Sequence, residues 1–422
     1  MHLWHPYTRF STFAHEPLPM IVRGEGIHLI DDQGHRYVDA ISSWWCCALG
    51  HGHPKIVEAI QRQAAELQHS ILGNLSHPHA VELASRLAAL MPDPHRHVLF
   101  ASDGSSAVEQ ALKIAVQYFH NIGRPERKRF ACLADGYHGD TFGAMSMGYI
   151  ETFHKPFQPL LIPADRLPFP GGPAGAGPSG GTSSRSSAFE DALRILDPHA
   201  HEYAAVIVEP LVQGAAGMRM YGADWLKKLA DWCKANGVLL IVDEIATGFG
   251  RTGTLFALEQ AGIDPDIVCV GKALSAGYLP ISATIVKDTI YATFGDQPVD
   301  HTLQHGHTFS GNPICAAAAL AALDVYTAPD FLPEVRRKSS LLASTRDTRH
   351  PPRILGLIAA VELGNIGHAR LVRESLVACG VLLRPLGNVV YIMPPLIISD
   401  NELTVLAQEV ATAILETTEC AD

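Results

Sequence analysis

The stretch Val238-Leu239-Leu240-Ile241-Val242-Asp243-Glu244, with the later run Ile267-Val268-Cys269-Val270-Gly271-Lys272, decides the fold of this 422-residue chain. Each run is short, apolar and rich in β-branched residues, the pattern of a strand buried on both faces. Between them lies Thr247-Gly248-Phe249-Gly250-Arg251-Thr252-Gly253, too rich in glycine for a helix or a strand. An acid and a lysine therefore each stand just past the carboxyl end of a strand, and in an open α/β sheet those ends line the ligand crevice.

That pairing suits one cofactor, pyridoxal 5'-phosphate. A lysine amine can hold its aldehyde, and an aspartate can keep its pyridine nitrogen protonated so that the ring accepts electrons. On these two residues alone, a solvated lysine and a carboxylate capping a loop are the better account. Two other readings fail on context. Gly248-Phe249-Gly250-Arg251-Thr252-Gly253 matches the dinucleotide fingerprint letter for letter, yet Asp243 to Thr247 separate it from the strand and no helical pattern starts at Gly253. Gly271-Lys272 resembles part of a phosphate-binding loop, but Ala273 stands where a hydroxyl is required and Asp266 where the leading glycine is required.

Working outward, strand and helix patterns alternate along the chain. His97 to Ala101 reads as a strand, Ser102-Asp103-Gly104-Ser105-Ser106 as a turn, and Val108, Leu112, Ala115 and Phe119 as one face of a helix. A strand, a glycine-serine turn and a helix N-terminus can bind a phosphate through free N–H groups and the helix dipole, though an ordinary N-cap has the same pattern. Phe130 to Ala134 leads into Asp135-Gly136-Tyr137-His138-Gly139-Asp140, where Tyr137 is either a core residue or a flat face for an aromatic ring. Residues 25–34 read as a hairpin, Leu355 to Leu363 and Asn388 to Met393 as single strands, and Ser399-x-x-Glu402 as a capping box. Pro163 to Ser187 is low in complexity, with hardly any apolar bulk from Gly171 to Ser187, and reads as a flexible surface loop. Alternation of this kind predicts an α/β fold, a doubly wound, mainly parallel sheet with a smaller α/β domain at the C-terminus. The expected division is an N-terminal segment 1–41 packing with the small domain, a large domain 42–320, and the small domain 321–422.

Composition narrows the function. A net charge of −11 argues against nucleic acid or an anionic membrane as the main partner. Eight cysteines without a C-x-x-C pair point to a reducing, cytoplasmic location, and the N-terminus lacks an apolar signal core. Histidines recur in pairs at 51/53, 77/79 and 305/307, but most lack nearby acidic or thiol partners in sequence, so no metal centre is expected.

Together these motifs resemble the class III, fold-type I pyridoxal-phosphate aminotransferases, over nearly the whole chain. The resemblance rests on His5-Pro6-Tyr7-Thr8, Ser42-Ser43-Trp44-Trp45, Gly104-Ser105, Gly136-Tyr137-His138-Gly139-Asp140-Thr141, Gln213-Gly214, Asp243 to Arg251, Gly271-Lys272, Thr308-Phe309-x-Gly311-Asn312-Pro313 and Arg384-Pro385. It implies that Lys272 holds the cofactor and moves the proton, and that Asp243 pairs with the pyridinium nitrogen. It further implies that Gly104, Ser105, His307 and Thr308 bind the cofactor, Thr308 being supplied by the partner subunit of a homodimer, and that Tyr137 stacks on the ring. Tyr7, with a catalytic part, and Trp44 would shape the donor pocket; Gly306 would lie against the acceptor and Arg384 would clamp a carboxylate as a bidentate partner. Tyr7, Trp44-Trp45 and Arg384-Pro385 point within the family to members that move an amino group from S-adenosyl-L-methionine to 8-amino-7-oxononanoate. The alternative is a member acting on ω-amino acids or diamines. Such members often carry an acid after Gln-Gly that gates the arginine, and here Gln213-Gly214 is followed by Ala215-Ala216. Three departures from the family pattern stand at Asp103, at His307 and at Cys46-Cys47.

Overall fold

The computed structural model describes residues 2–9, 19–171, 182–344 and 350–419. The chain enters through an antiparallel meander, β1 (Ile21–Glu25), β2 (His28–Asp31) and β3 (Arg36–Asp39). The hairpin expected over 25–34 is therefore only its middle, β2 with a turn on either side. Asp31 sets the second turn, its Oδ1 accepting the N–H groups of Gln33 at 3.0 Å and His35 at 2.8 Å.

The large sheet follows. In chain order its strands are β4 (Arg96–Ala101), β5 (Arg129–Leu133), β6 (Asp165–Leu167) and β7 (Tyr203–Val208). After the small ribbon β8 (Val212–Gln213) and β9 (Arg219–Met220) come β10 (Leu239–Asp243), β11 (Ile267–Val270) and β12 (Ser282–Lys287). The spatial order is β4-β12-β11-β10-β7-β5-β6. All are parallel except β12, which runs against both of its neighbours. Only residues 271–281 join β11 to β12, too few for the dozen-residue crossover that a parallel neighbour needs.

Every residue of β10 is buried. Leu240 and Val242 enter one apolar core while Leu239 and Ile241 enter the other, which is the alternation of a strand covered on both sides. Helix Gly104–Asn121 supplies most of one cover, while helices Pro78–Ala89, Ala223–Asn236 and Pro313–Tyr326 contribute to the other. Because β4, β5, β7, β10 and β11 point the same way, their carboxyl ends deliver residues 103–105, 137–140, 209, 243 and 272 to one edge of the sheet.

The last part of the chain departs from expectation in detail. The single strand read over 355–363 is a hairpin, β13 (Arg353–Leu355) and β14 (Ile358–Glu362), turning at Gly356 with φ +59°. A β-branched pattern that continues through a glycine conceals such a turn. Next come β15 (Val381–Leu382) and β16 (Val389–Ile392); β16 joins the hairpin, while β15 pairs in parallel with β3. Helix Pro313–Tyr326 runs unbroken through position 320. The capping box forms as read, with Glu402 accepting from the Ser399 N–H at 2.8 Å and the Ser399 hydroxyl donating to Glu402 at 2.6 Å. The loop read over 163–187 is corrected in part. It contains β6, and residues 182–187 open the helix Thr182–Leu196, where serine and threonine tolerate helical backbone despite their turn preference. Residues 172–181 lie outside the described ones.

Candidate active site

A cavity of about 260 Å³ sits at the carboxyl edge of the sheet, lined by Gly104, Ser105, Tyr137, Glu209, Asp243 and Lys272 among others. At one wall stands the helix N-terminus. Asp103, the N-cap, accepts the Ser106 N–H at 2.9 Å and the Ser106 hydroxyl at 3.0 Å. This carboxylate is thus engaged in capping, while the amides of Gly104 and Ser105 in the first turn have no intrahelical acceptor. Gly104 is needed there, since a Cβ would come within 2.9 Å of Ile245. The loop 137–140 is pinned over this turn: the Asp140 N–H donates to Ser105 Oγ at 3.1 Å, and Glu109 of the same helix accepts the Thr141 hydroxyl at 2.6 Å.

Asp243 is buried at the opposite wall. Its Oδ2 lies 2.7 Å from His138 Nδ1, and its Oδ1 accepts the Ile245 N–H at 3.0 Å. The adjacent acid turns away. Glu244 accepts the Leu258 N–H at 2.8 Å and the Thr247 hydroxyl, so it staples the glycine-rich loop and does not face the cavity. Burial pushes the Glu244 carboxyl up to about 7.

Lys272 begins a tight turn with φ +40°, a region costly for any side chain with a Cβ. Its Nζ lies 5.1 Å from the centre of the Trp45 ring. Desolvation lowers the ammonium pKa, opposed by the charges of Asp243 and Glu209. Glu209 follows the end of β7, where it accepts the N–H groups of Tyr137 at 3.0 Å and Gly214 at 2.9 Å. Burial raises its carboxyl to about 7, against the pull of those donors and His138.

Beside the cavity lies an aromatic box. The Tyr7 hydroxyl donates to Asp140 at 2.8 Å, and its ring meets Trp44 at 5.7 Å and Phe153 at 5.4 Å, both edge-on. Burial and Asp140 push the Tyr7 phenol up to about 12. The Arg384 guanidinium lies 4.7 Å from the Trp44 ring centre and donates to the Tyr7 carbonyl at 2.8 Å. What holds it is a carbonyl and two ring faces, which leaves donors of its fork for a carboxylate.

The two tryptophans owe their placement to a left-handed turn. Ser42, Ser43, Trp44 and Trp45 all have positive φ, from +46° to +74°. For residues with a Cβ this costs about 1–2 kcal/mol each. Surrounding bonds hold the turn: Asp39 accepts the Ser43 N–H at 2.8 Å and its hydroxyl at 2.7 Å, the Ser42 hydroxyl donates to Met393 O at 2.7 Å, and Trp45 Nε1 donates to Tyr391 at 3.0 Å. Trp44 thereby faces Arg384 and Trp45 faces Lys272. Cys46 and Cys47, with Sγ atoms 3.9 Å apart, close the turn.

The sequence-derived residues Gly104, Ser105, Tyr137, Asp243 and Lys272 therefore converge on one cavity, with Tyr7, Trp44 and Arg384 grouped next to it. Gly306, His307 and Thr308 do not line it. They belong to a stretch where the His307 N–H donates to Ser310 Oγ at 3.2 Å and His305 Nδ1 lies 3.1 Å from Lys113 Nζ. Sequence reading gave no role to His138, Glu209, Asp140, Phe153 or Trp45. Glu209 carried a usable signal, being an acid at a strand's carboxyl end like Asp243; the others depend on contacts between distant segments.

These groups fit pyridoxal phosphate: unpaired amides at a helix N-terminus for the phosphate, a buried acid for the pyridine nitrogen, an amine of lowered pKa for the aldehyde, and a tyrosine on the wall for the ring. Comparisons with known proteins agree. The model of the family described as "Aminotransferase class-III" matches residues 11–414. An adenosylmethionine-8-amino-7-oxononanoate aminotransferase of Synechococcus elongatus is 42% identical over 98% of both chains. The solved structure of the enzyme of that name from Methanocaldococcus jannaschii superposes with a TM-score of 0.91 at 35% identity, covering 98% of this chain and 97% of the other. An amine transaminase from an uncultivated Pseudomonas species, solved in its PLP-bound (internal aldimine) form, gives 0.91 at 31% identity over 99% of both chains. With a family model spanning almost its full length and a cavity built for the same cofactor, the chain belongs to the class III aminotransferases and is a pyridoxal-phosphate-dependent transaminase.

Proposed function

We propose that this transaminase takes the amino group of S-adenosyl-L-methionine and gives it to 8-amino-7-oxononanoate, forming 7,8-diaminononanoate in biotin biosynthesis. The observation that carries the reading is the box of Tyr7, Trp44, Phe153 and Arg384 beside Lys272. Three aromatic edges and faces suit a bulky cationic donor, and a guanidinium held without an acid gate suits a substrate carboxylate. Where ω-amino-acid members place an acid after Gln-Gly, Ala215 and Ala216 stand here. Full-length relatives bearing the name of this activity are 34–42% identical.

Pyridoxal phosphate, when bound, supplies the electron sink that makes the donor's α-proton acidic. The chain does the rest. Gly104 and Ser105 amides hold the phosphate, Asp243 holds a proton on the pyridine nitrogen, and His138 fixes that carboxylate in place. Lys272 Nζ, whose burial favours the free amine, takes and returns the α-proton. Tyr7 and Trp44 cover the donor and exclude water, while Arg384 orients its carboxylate.

A twofold homodimer fits this reading, with Gly306, His307 and Thr308 of the partner subunit completing each site. So does a cytoplasmic enzyme with an N-terminal segment 1–41, a large domain 42–320 and a small domain 321–422. Among the described residues no single helix is long and apolar enough to cross a membrane. The second reading is an ω-amino acid or diamine transaminase, favoured by one finding: an engineered omega transaminase superposes with a TM-score of 0.92 at 29% identity. A donor screen with 8-amino-7-oxononanoate as acceptor separates the two. Turnover with S-adenosyl-L-methionine supports the proposal; no amino transfer to 8-amino-7-oxononanoate from any donor, with turnover of ω-amino acids or diamines on another acceptor, supports the alternative.

A further inference from the structure

His154 is a buried group to which the chemistry above gives no task. The residue is 1% exposed, at the end of the short helix Glu151–His154 and packed against Tyr137. Nδ1 accepts the Ile150 N–H at 3.1 Å, so in the neutral ring the proton sits on Nε2. Burial and the charge of Arg166 favour that neutral form. Nε2 has no hydrogen-bond partner, and Asp140 Oδ1 lies 4.0 Å away. The ring cannot easily turn elsewhere. It lies nearly parallel to Tyr137, with centroids 6.2 Å apart and planes at 20°, and meets Tyr149 and Phe153 edge-on.

Asp140 is the carboxylate that accepts the Tyr7 hydroxyl, and it is open to solvent. A donor molecule covering the aromatic box would strip water from Asp140 and leave a carboxylate in need of donors. An N–H aimed from behind at 4.0 Å could replace that water after a shift of about 1 Å.

We propose that His154 is a positioning residue for the donor half-reaction: its Nε2–H bonds Asp140 when the donor binds and so fixes the Tyr7 hydroxyl in the pocket. This inference rests on the reading of the Tyr7, Trp44, Phe153 and Arg384 box as the donor pocket.

The test uses His154→Asn and His154→Gln in the holoenzyme. Asparagine keeps an acceptor near the Nδ1 position for Ile150 but reaches no further, whereas glutamine carries an N–H toward the Nε2 position. Single-turnover kinetics with S-adenosyl-L-methionine, thermal melting, and the affinity of the apoprotein for pyridoxal phosphate are measured for each. His154→Asn should raise the half-saturating donor concentration about tenfold, with cofactor affinity unchanged, and His154→Gln should recover most of that loss. Unchanged donor saturation in His154→Asn, or a glutamine variant no better than asparagine at equal melting temperature, overturns the proposal. If asparagine also lowers the melting temperature, glutamine decides: stability regained without donor affinity overturns it. Tyr7→Phe separates the two levels. If Tyr7→Phe impairs donor saturation and His154→Asn does not, only the role of His154 fails; if neither does, the donor-pocket reading fails with it.

Discussion

Replacing Asp39 by alanine should open the left-handed turn that carries Trp44 and Trp45. Four residues with positive φ at about 1–2 kcal/mol each store roughly 4–8 kcal/mol. Against this, Asp39 accepts two bonds from Ser43, at 2.8 and 2.7 Å, and lies 3.0 Å from His51 Nε2. Bonds to a charged acceptor contribute about 1.5–3 kcal/mol each, so the two from Ser43 supply roughly 3–6 kcal/mol, comparable with the strain. Without them the relaxed turn is favoured. The strain released offsets part of the bonds lost, and urea unfolding should show a stability loss below about 3 kcal/mol. Activity should suffer more, because Trp44 leaves Arg384 and Trp45 leaves Lys272; the donor half-reaction should slow at least tenfold. Ser43→Gly is the control. It keeps the N–H for Asp39 and loses one hydroxyl bond of about 1.5–3 kcal/mol, while removing a positive-φ penalty of about 1 kcal/mol, so it should cost about 0.5–2 kcal/mol of stability and leave the turn and the donor kinetics in place. An Asp39→Ala protein with parental donor kinetics would refute the claim that this carboxylate holds the turn in its working form.

Other outcomes follow from the same geometry. Arg384→Lys should raise the Michaelis constant for carboxylate substrates by about tenfold or more, since an ammonium replaces a planar fork worth about 1–3 kcal/mol, with little change in melting temperature. Glu244→Gln should alter the pH dependence of stability. Burial holds this carboxyl near 7 in the folded chain, above its usual value, so its contribution is full at acid pH and is lost as pH rises through about 7. The variant should therefore gain on the parent, by roughly 3 kcal/mol at most, between pH 5 and 8 in chemical denaturation. Mixing Lys272→Ala with Thr308→Asp subunits should restore up to about a quarter of parental activity if each site draws on both chains, since half the dimers are mixed and half their sites are intact. Demonstrated subunit exchange without recovery would count against shared sites.

The central strands were legible because burial on both faces leaves only one kind of residue: β10 up to Val242 and all of β11 are unbroken apolar runs, and their ends named Asp243 and Lys272 at once. Helix Gly104–Asn121 was legible from its apolar face and its cap. The turn 42–45 was not. Nothing local marks four residues with side chains as left-handed; the bonds that impose it come from Asp39, Met393 and Tyr391. For the same reason the sequence sent Trp44 to the pocket and overlooked that Trp45 faces Lys272. Tyr7 and Asp140 are 133 positions apart, so their bond has no sequence signature. Glu244 and Asp243 are adjacent acids of opposite roles, and only the direction of the loop after β10 tells them apart.

The central claim is that Lys272 is the amine that holds the cofactor. Borohydride reduction of the holoenzyme fixes pyridoxal phosphate to whichever amine carries it, and peptide mass spectrometry then locates the label. The account predicts the label on the peptide containing Lys272, and its absence from Lys272→Ala. A label on any other lysine of the native protein would contradict it.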